Sequence, residues 1–197
     1  MFTKSIDTSS PIHDLIAGRW SGVAFDAQRP VSDEDLHSVL EAARWAPSCF
    51  GDQPWRYVVC KKDSHPEGWQ TIFDSLIDKN QAWCQHVPVL ILACHDTQFS
   101  HNDNPNRHGA YDTGAASVSM CLQAAALGLM SHQMGGFAAE KLQQSFAIPE
   151  RFSPIAVIAL GYQVAETDIP DAFREREMAP RKRNELSRNF FLGAWQE

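Results

Sequence analysis

Apolar side chains recur at helical spacing in five parts of the chain, and each pattern predicts a helix. The clearest follows Ser32, a predicted helix cap, and ends where Pro47 disfavours helical backbone at Ala46. The pattern over 112–130 is rich in small residues and apolar nearly all round, which predicts a central, closely packed helix. A short helix with a turn is predicted over 10–25, and further helices are predicted over 67–79 and 138–147.

Three apolar or β-branched stretches, 55–61, 87–94 and 154–162, have the length and composition of β-strands. The second and third are apolar almost without interruption, which is typical of a sheet covered on both faces. A polar stretch, 95–109, is the predicted surface loop. Strands and helices do not alternate regularly. The pattern therefore predicts an α+β fold, formed by a single domain over residues 1–197.

The end of the chain combines polar residues with large apolar ones. The tail, at about 185–197, carries Phe190, Phe191, Leu192 and Trp195 after a basic stretch. Apolar residues at a chain end usually dock on a folded surface. We expect this tail to dock on a partner subunit.

The charge balance argues against some classes of partner. With 17 Lys and Arg against 24 Asp and Glu, the net charge is −7, whereas nucleic acids and anionic membranes require a basic surface. No run reaches the roughly 18 apolar residues of a membrane span. The five cysteines are irregularly spaced, and the first residues contain no apolar signal core. Reduced thiols and a cytoplasmic location are expected.

Two groups of residues are candidates for side-chain catalysis or metal binding. Cys49 is a candidate nucleophile with His132 as the best-placed base, but nothing near Cys49 in the sequence activates it, so a plain thiol is favoured. The second group lies in and beside the polar loop, and its spacing fits no known zinc or iron signature, so a solvated loop is favoured. Its members are His95, Asp96, His101, Asp103 and His108.

Two short motifs are candidates for binding a planar or anionic ligand. Gly135 and Gly136 precede a predicted helix and form either a simple turn or backbone N–H donors close to a ligand. Arg181 and Arg183 flank Lys182 and either form a solvated face or grip one phosphate from an extended segment. Neither a G-x-G-x-x-G motif nor a phosphate-loop motif occurs, so a Rossmann dinucleotide fold is unsupported.

Five segments, in order, resemble the FMN-dependent nitroreductase family over nearly the whole chain. They are an Arg-x-Ser-x-x-x-Phe opening, a helix with a Pro-Ser turn and a Gln-Pro-Trp strand entry, an Asn-x-x-Trp segment, a central helix leading into a glycine loop, and a terminal Arg-Lys-Arg. These segments lie at 18–26, 30–59, 80–93, 111–137 and 181–183. The resemblance implies a mainly antiparallel sheet flanked by helices, in an intertwined homodimer with FMN at the subunit interface.

The resemblance also implies which residues hold FMN. Arg19 and Ser21 would contact the flavin and its ribityl phosphate, with backbone contacts from Trp20 between them. Asn80 would hydrogen-bond the pyrimidine edge. The remaining contacts form three groups. Lining the isoalloxazine from the partner subunit would be Pro47, Ser48, Cys49 and Gln53. The flavin-edge loop would contribute Met134, Gly135 and Gly136, with the glycine N–H groups facing N5, and the phosphate would be bound by Arg181 and Arg183.

Two positions depart from the family pattern. Val23 stands where the family usually has Arg or Lys near the N1 and O2 edge of the flavin, and Gly51 stands where the turn commonly has Asn. The loss of a cation at residue 23 would stabilise the anionic reduced flavin less and lower its potential.

The implied activity is a ping-pong oxidoreduction. NADH or NADPH delivers hydride to flavin N5 and leaves, and a nitroaromatic, quinone or other small acceptor takes its place. The flavin performs this chemistry, so neither a catalytic side chain nor a metal is expected. Two alternatives stay open. One is a flavin enzyme of the same fold with different chemistry, such as flavin cleavage or dehalogenation, and the other is a non-catalytic protein that binds or stores FMN.

Overall fold

The computed structural model describes residues 2, 4 and 6–196. These residues form eight α-helices and four β-strands. The helices are α1 (Asp14–Gly18), α2 (Asp33–Arg44), α3 (Pro66–Phe73), α4 (Asp78–Cys84), α5 (Gly109–Ala126), α6 (Ala139–Ser145), α7 (Asp171–Met178) and α8 (Leu186–Asn189). The strands are β1 (Trp55–Lys61), β2 (Val89–Asp96), β3 (Met130–Met134) and β4 (Phe152–Gly161).

The four strands form one sheet in the order β1-β2-β4-β3. Every neighbouring pair is antiparallel, and a register shift between Ala93 and Cys94 marks an irregularity in β2. β2 and β4 are therefore the inner strands, and β3 lies at an edge.

Helices cover both faces of this sheet, as the apolar runs of the inner strands predict. Side chains alternate along β2, so that Leu90 and Leu92 join one buried cluster while Val89 and Ile91 join the other. The first cluster includes residues of α3, α4 and α6, and the second includes residues of α2 and α5. The sheet thus lies between two helical layers, and the predicted α+β fold is confirmed.

The helix after Ser32 and the first strand agree with their predictions. The Ser32 hydroxyl accepts a hydrogen bond from the Asp35 N–H at 3.0 Å and caps α2, which ends at Arg44, before Pro47. β1 has the predicted bounds, 55–61. The two inner strands lie within two residues of their predicted ranges.

The prediction of one helix over 67–79 is wrong, because the chain forms two helices, α3 and α4. Between them, Leu76 pairs with Phe137 in an antiparallel bridge, and the Ile77 N–H donates to the Gly136 carbonyl at 3.1 Å. The backbone leaves the helix because its polar groups bond to the loop after β3. Helical periodicity does not reveal such a tertiary contact.

The short helix predicted within 10–25 is confirmed as α1 (Asp14–Gly18). The His13 side chain accepts a hydrogen bond from the Leu15 N–H and caps α1, which ends at Gly18. Beyond α1 the chain is extended, and Phe25 pairs with Gln163 just past the end of β4. The end of this stretch therefore pairs with backbone beside the sheet.

The predicted 112–130 helix also has wrong bounds. α5 begins at Gly109 and ends at Ala126, and Gly128 adopts a left-handed conformation with φ of 75°. Met130 belongs to β3, although the sequence pattern predicts a helix and a loop at these residues. The chain after β4 likewise contains two unpredicted helices, α7 and α8.

α5 is central, but it is covered on one side only. Its buried residues face the sheet and α2, whereas Tyr111 is 79% exposed and Val118 is 50% exposed. Neither α5 nor any other helix within the described residues is long and apolar enough to cross a membrane. The outward face of α5 is therefore open to a further contact.

Replacing Leu142 with Ala tests how α6 is held on the sheet. Leu142 is the buried residue of α6 and is 0% exposed. We expect Leu142→Ala to lower the free energy of unfolding by about 3 kcal/mol, through lost burial and a cavity. Chemical denaturation measures the change. Glu140→Ala, at an exposed position of the same helix, is the control and should change it by less than about 0.5 kcal/mol. Equal effects of the two substitutions would contradict the packing described.

Candidate functional site

A cleft of about 310 Å³ lies between the segment after α1 and the segment after α7. Five Arg and Lys side chains of these two segments and of α7 line it, together with Lys4 and the carboxylate of Glu177. The complete lining is Lys4, Arg19, Trp20, Ser21, Arg176, Glu177, Ala179, Pro180, Arg181, Lys182 and Arg183. We call this feature the basic cleft.

Arg181 holds in place the segment after α1, which forms one wall of the basic cleft. One guanidinium nitrogen donates to the Ala17 carbonyl, and the other donates to the Arg19 carbonyl at 2.9 Å. The Arg19 side chain in turn approaches the Ser21 hydroxyl at 3.4 Å. The structure therefore brings together Arg19, Trp20, Ser21, Arg181 and Arg183, which lie far apart in the sequence. Arg181 grips backbone carbonyls in this arrangement, while Arg183 is exposed.

The cations of the basic cleft repel one another. Burial, followed by the charges of Arg19 and Arg183, lowers the pKa of the Arg181 guanidinium. Such crowding in a chain of net charge −7 is unfavourable unless an anion compensates it. The cleft is therefore suited to bind an anionic group such as a phosphate.

Trp20 forms part of the floor of the basic cleft. Its side chain is buried, at 7% exposure, and the Lys4 ammonium lies 4.4 Å from the ring centroid. The indole Nε1 is buried and has no hydrogen-bond acceptor among the described residues. The predicted contribution of Trp20 through its backbone stays a prediction.

A second group of predicted site residues surrounds the loop after β3. The Gly136 carbonyl accepts hydrogen bonds from the Ile77 N–H and from the Asn80 side-chain amide at 3.2 Å. No described residue accepts a hydrogen bond from the N–H of Gly135 or Gly136. A side chain at Gly135 would meet nothing within 4 Å, so this part of the loop is open to a ligand. Met134, which precedes the glycines, is buried.

His132 and Trp83 lie between the basic cleft and the glycine loop. Neither is among the ligand contacts predicted from the sequence. The His132 Nδ1 donates to the Gly22 carbonyl at 2.8 Å, next to Ser21, and its ring packs against Trp83 at 4.7 Å. Burial, with Arg176 and Arg19 as further causes, lowers the pKa of His132. β3 thus connects the basic cleft at one end with the glycine loop at the other.

The turn after α2 forms a third group. The Ser48 hydroxyl accepts the Gln53 N–H at 3.0 Å, and the Cys49 N–H donates to the Asp112 carboxylate at 2.9 Å. Pro47 precedes these contacts. Within the described ranges, no hydrogen bond joins this turn to the basic cleft or to the glycine loop. None of the turn residues lines the basic cleft, so the turn forms a group of its own within one chain.

A neighbouring loop holds this turn in place. The Asp52 carboxylate, which is almost fully buried, accepts hydrogen bonds from the Ser100 N–H at 3.0 Å and from the Ser100 hydroxyl. Burial opposes ionisation, but the hydrogen bonds from Ser100 and the charge of His101 lower the pKa of Asp52. Phe50 is 81% exposed and contacts Phe99 and His101 edge-on. The turn thus presents an aromatic surface to solvent.

Cys49 is the half-buried thiol among five free cysteines, and the other four are buried. Burial raises the pKa of the Cys94 thiol to about 11 and also raises the pKa values of Cys60 and Cys84. Cys49 bonds to Asp112 through its backbone, and the candidate base His132 bonds to Gly22 instead. The structure therefore does not pair the Cys49 thiol with His132.

The candidate metal ligands of the polar loop have other partners. Asp96 and Asp103 both bind the Arg151 guanidinium, His101 faces Asp52, and His95 bonds to the Asp96 carbonyl. Within the described ranges, no three His, Cys, Asp or Glu side chains are grouped as metal ligands would be.

Val23 lies inside the protein. Its side chain is 1% exposed and belongs to the same buried cluster as Phe25 and Trp83. An Arg at this position would have to displace that cluster, so the Val23→Arg substitution cannot isolate the electrostatic effect of a cation on a flavin.

Comparison with known proteins assigns the chain to a family. The family model described as the Nitroreductase family matches residues 16–162, which is most of the chain. The chain belongs to the nitroreductase family. Its matched region contains the end of α1, α2 to α6 and all four strands, so it includes the glycine loop, the turn after α2 and one wall of the basic cleft.

Solved structures extend the nitroreductase-family likeness beyond the matched region. A crystal structure described as an oxidoreductase containing FMN is 34% identical, with a TM-score of 0.87 and 96% of each chain covered. A provisionally described nitroreductase of Desulfovibrio desulfuricans, in complex with FMN, is 25% identical, with a TM-score of 0.74. That match covers 96% of this chain and all of the other.

Relatives known from sequence support the same family. A protein of Archaeoglobus fulgidus, described provisionally as an NADH dehydrogenase or NAD(P)H nitroreductase, is 29% identical over 153 residues. The match covers 74% of this chain and 82% of the relative. An uncharacterized 15.4 kDa protein of Mycolicibacterium smegmatis is 31% identical over 125 residues, which is 64% of this chain and 83% of that protein.

The structure explains the unusual Gly51 of this nitroreductase-family chain. Gly51 has φ of 67°, in the left-handed region that Gly and Asn adopt more readily than other residues. We expect Gly51→Asn to change the free energy of unfolding by less than about 0.5 kcal/mol, and Gly51→Val to lower it by about 2 kcal/mol. Chemical denaturation of both variants measures these changes. An Asn variant as unstable as the Val variant would mean that the turn requires glycine itself.

Proposed function

We propose that this protein is an FMN-dependent NAD(P)H oxidoreductase that reduces nitroaromatics, quinones or similar small acceptors. The observation that carries the proposal is the basic cleft, where Arg19, Arg181 and Arg183 lie together in an otherwise acidic chain. A phosphate monoester is the anion that such a group of guanidinium donors suits best. The FMN named in two of the similar structures carries such a group.

The residues next to the basic cleft also suit the rest of an FMN molecule. The Asn80 amide lies beside Gly136 and could hydrogen-bond the pyrimidine edge. Gly135 and Gly136 keep N–H groups that no described residue accepts, and the space beside Gly135 leaves room for a planar ring. These donors are backbone groups on a hydrogen-bonded loop, so they need no rearrangement to meet a ligand.

Bound FMN would supply hydride-transfer chemistry at its N5 atom. NADH or NADPH would be the hydride donor and the small acceptor the recipient, in a ping-pong cycle. The chain contributes positioning and electrostatics. Ser21 and Arg19 would bind the ribityl phosphate end, and the glycine loop would donate its N–H groups to the ring. No side-chain acid or base is required for this role.

The site becomes complete in a homodimer. The turn with Pro47, Ser48, Cys49 and Gln53 is separate from the other two groups within one chain, so we propose that it lines the flavin of a second subunit. The exposed face of α5 and the apolar tail, where Leu192 is 95% exposed, are the surfaces that such a partner would cover. The tail at about 185–197 would dock on that subunit.

We place the protein in the cytoplasm as part of this proposal. All five cysteines are free thiols in the described structure, which suits a reducing compartment. NADH and NADPH are the reductants expected there.

The absorbance spectrum of the purified protein, taken anaerobically, tests the proposed activity. We expect a flavin band that bleaches when NADH or NADPH is added and returns on addition of a nitroaromatic or a quinone. A matched sample in which a non-reducing nicotinamide replaces the donor should keep its band. A colourless protein that takes up no FMN would overturn the proposal.

Other outcomes of this experiment distinguish the alternative functions. A bound flavin that neither NADH nor NADPH bleaches would indicate a non-catalytic FMN-binding protein. A flavin that bleaches but is consumed, or that transfers electrons only to a halogenated acceptor, would indicate the same fold with different chemistry.

A charge on the exposed face of α5 tests the proposed dimer. The wild-type protein should sediment at about twice the 22.0 kDa mass of the chain. We expect Val118→Glu to shift it toward the mass of a single chain, because a buried unpaired carboxylate opposes association. Gln144→Glu, at an exposed position of α6, is the matched control and should remain dimeric. A Val118→Glu variant that dimerises as well as the control would place the interface elsewhere.

A further inference from the structure

The peptide group between Gly22 and Val23 is held from both ends. Its carbonyl, on Gly22, accepts a hydrogen bond from the His132 Nδ1 at 2.8 Å. Its N–H, on Val23, donates to a Glu177 carboxylate oxygen at 2.5 Å. His132 comes from the edge strand β3 and Glu177 from α7, so two distant elements fix one peptide plane. We call this arrangement the peptide clamp.

The peptide clamp is closely packed on the Gly22 side. A Cβ atom at Gly22 would lie 2.3 Å from the Met130 sulfur and 3.1 Å from a Glu177 oxygen. Val23 is almost fully buried on the other side. A larger residue at position 22 would therefore have to displace the Met130 side chain.

The carboxylate of the clamp is costly to bury. Glu177 is 1% exposed, and burial raises its pKa, although the Val23 N–H and the Gln163 amide partly offset that effect. An apolar side chain of similar size would avoid that cost but would leave the buried Val23 N–H without an acceptor. The carboxylate is therefore tied to the Gly22–Val23 peptide, which it holds by this hydrogen bond.

The peptide clamp adjoins the groups assigned to the phosphate. Ser21 directly precedes the clamped peptide, and Arg19 lies two residues further back. At the other end of this segment, Arg181 donates to the carbonyls of Ala17 and Arg19. Glu177 and Arg181 belong to α7 and the chain just after it. The segment from Glu177 to Arg181 therefore holds residues 17–23 at both ends.

We propose that His132 and Glu177 are positioning residues, which hold Arg19 and Ser21 in place for the phosphate of the cofactor. The inference rests on the proposed function, because it presupposes FMN in the basic cleft. The positioning role of Glu177 and the effect of its charge predict opposite changes in phosphate binding. The Glu177 charge lies beside the cations of the cleft, so removing it would by charge alone tighten phosphate binding. Removing its hydrogen bond to Val23 should instead weaken that binding.

Flavin binding to the apoprotein tests the peptide clamp. The dissociation constants of FMN and riboflavin, which differ only in the phosphate, are measured by quenching of flavin fluorescence. We expect His132→Leu and Glu177→Met each to raise the Kd of FMN by about tenfold, the effect of one lost hydrogen bond, and that of riboflavin by less than about threefold. A purely structural role would weaken both flavins by the same factor.

Conservative variants separate the hydrogen bonds from charge and packing. His132→Asn keeps a donor near the place of Nδ1, and Glu177→Gln keeps the acceptor for Val23 while removing the charge. We expect His132→Asn to keep the wild-type ratio of the two Kd values. We expect Glu177→Gln to bind FMN at least as tightly as the wild type, because it keeps the acceptor for Val23 and removes a negative charge beside the phosphate. The double variant His132→Leu with Glu177→Met should weaken FMN by less than the product of the single effects, because both act on one peptide. Glu140→Met is the matched control at an exposed position and should leave both constants unchanged.

Folding is checked by circular dichroism, and an alanine variant replaces any apolar variant that does not fold. Folded variants with unchanged FMN affinity, or with equal losses for FMN and riboflavin, would overturn the inference while leaving the proposed function intact. Tighter FMN binding by Glu177→Met would show that only its charge matters. A wild-type protein that binds neither flavin would overturn the proposed function, and the inference would fall with it.

Discussion

The burial of both faces of the sheet is the constraint from which the remaining structure follows. Every side chain of β2 from Val89 to Cys94 is at most 2% exposed, and β4 is equally buried from Val157 to Leu160. Such strands have no position at which a polar group could face a ligand. Polar contacts must come from the edge strand β3, from loops, and from chain segments that pack beside that edge. The basic cleft and the glycine loop both lie there.

The hydrophobic pattern predicts helices and strands correctly where the local preference of the chain agrees with its tertiary contacts. The Ser32 cap, the strand at 55–61 and the doubly covered sheet depend on periodicity and capping, which a single sequence displays. Leu76 shows where this approach fails, because it leaves a helical pattern to pair with distant backbone. β3 was missed for a related reason, since its five residues follow a helix without a turn motif beyond Gly128.

The candidate site was predicted in part. Arg19, Ser21 and Arg181 converge on one cleft, while their contact with a flavin stays a prediction. His132 and Glu177 could not be predicted as partners, because a hydrogen bond to the Gly22–Val23 peptide depends on how β3 and α7 pack. Val23 illustrates the converse case: its position in the motif suggested proximity to a flavin edge, whereas its burial places it in the core.

The basic cleft also has a consequence for how fast a ligand is captured. The chain as a whole is acidic, and most of its surface repels an anion, while one cleft concentrates positive charge. An anion approaching in solution is therefore deflected from most orientations and attracted in one. Because mobile salt ions screen this field within about 8 Å at physiological ionic strength, the association rate rather than the bound geometry should be the quantity most sensitive to salt.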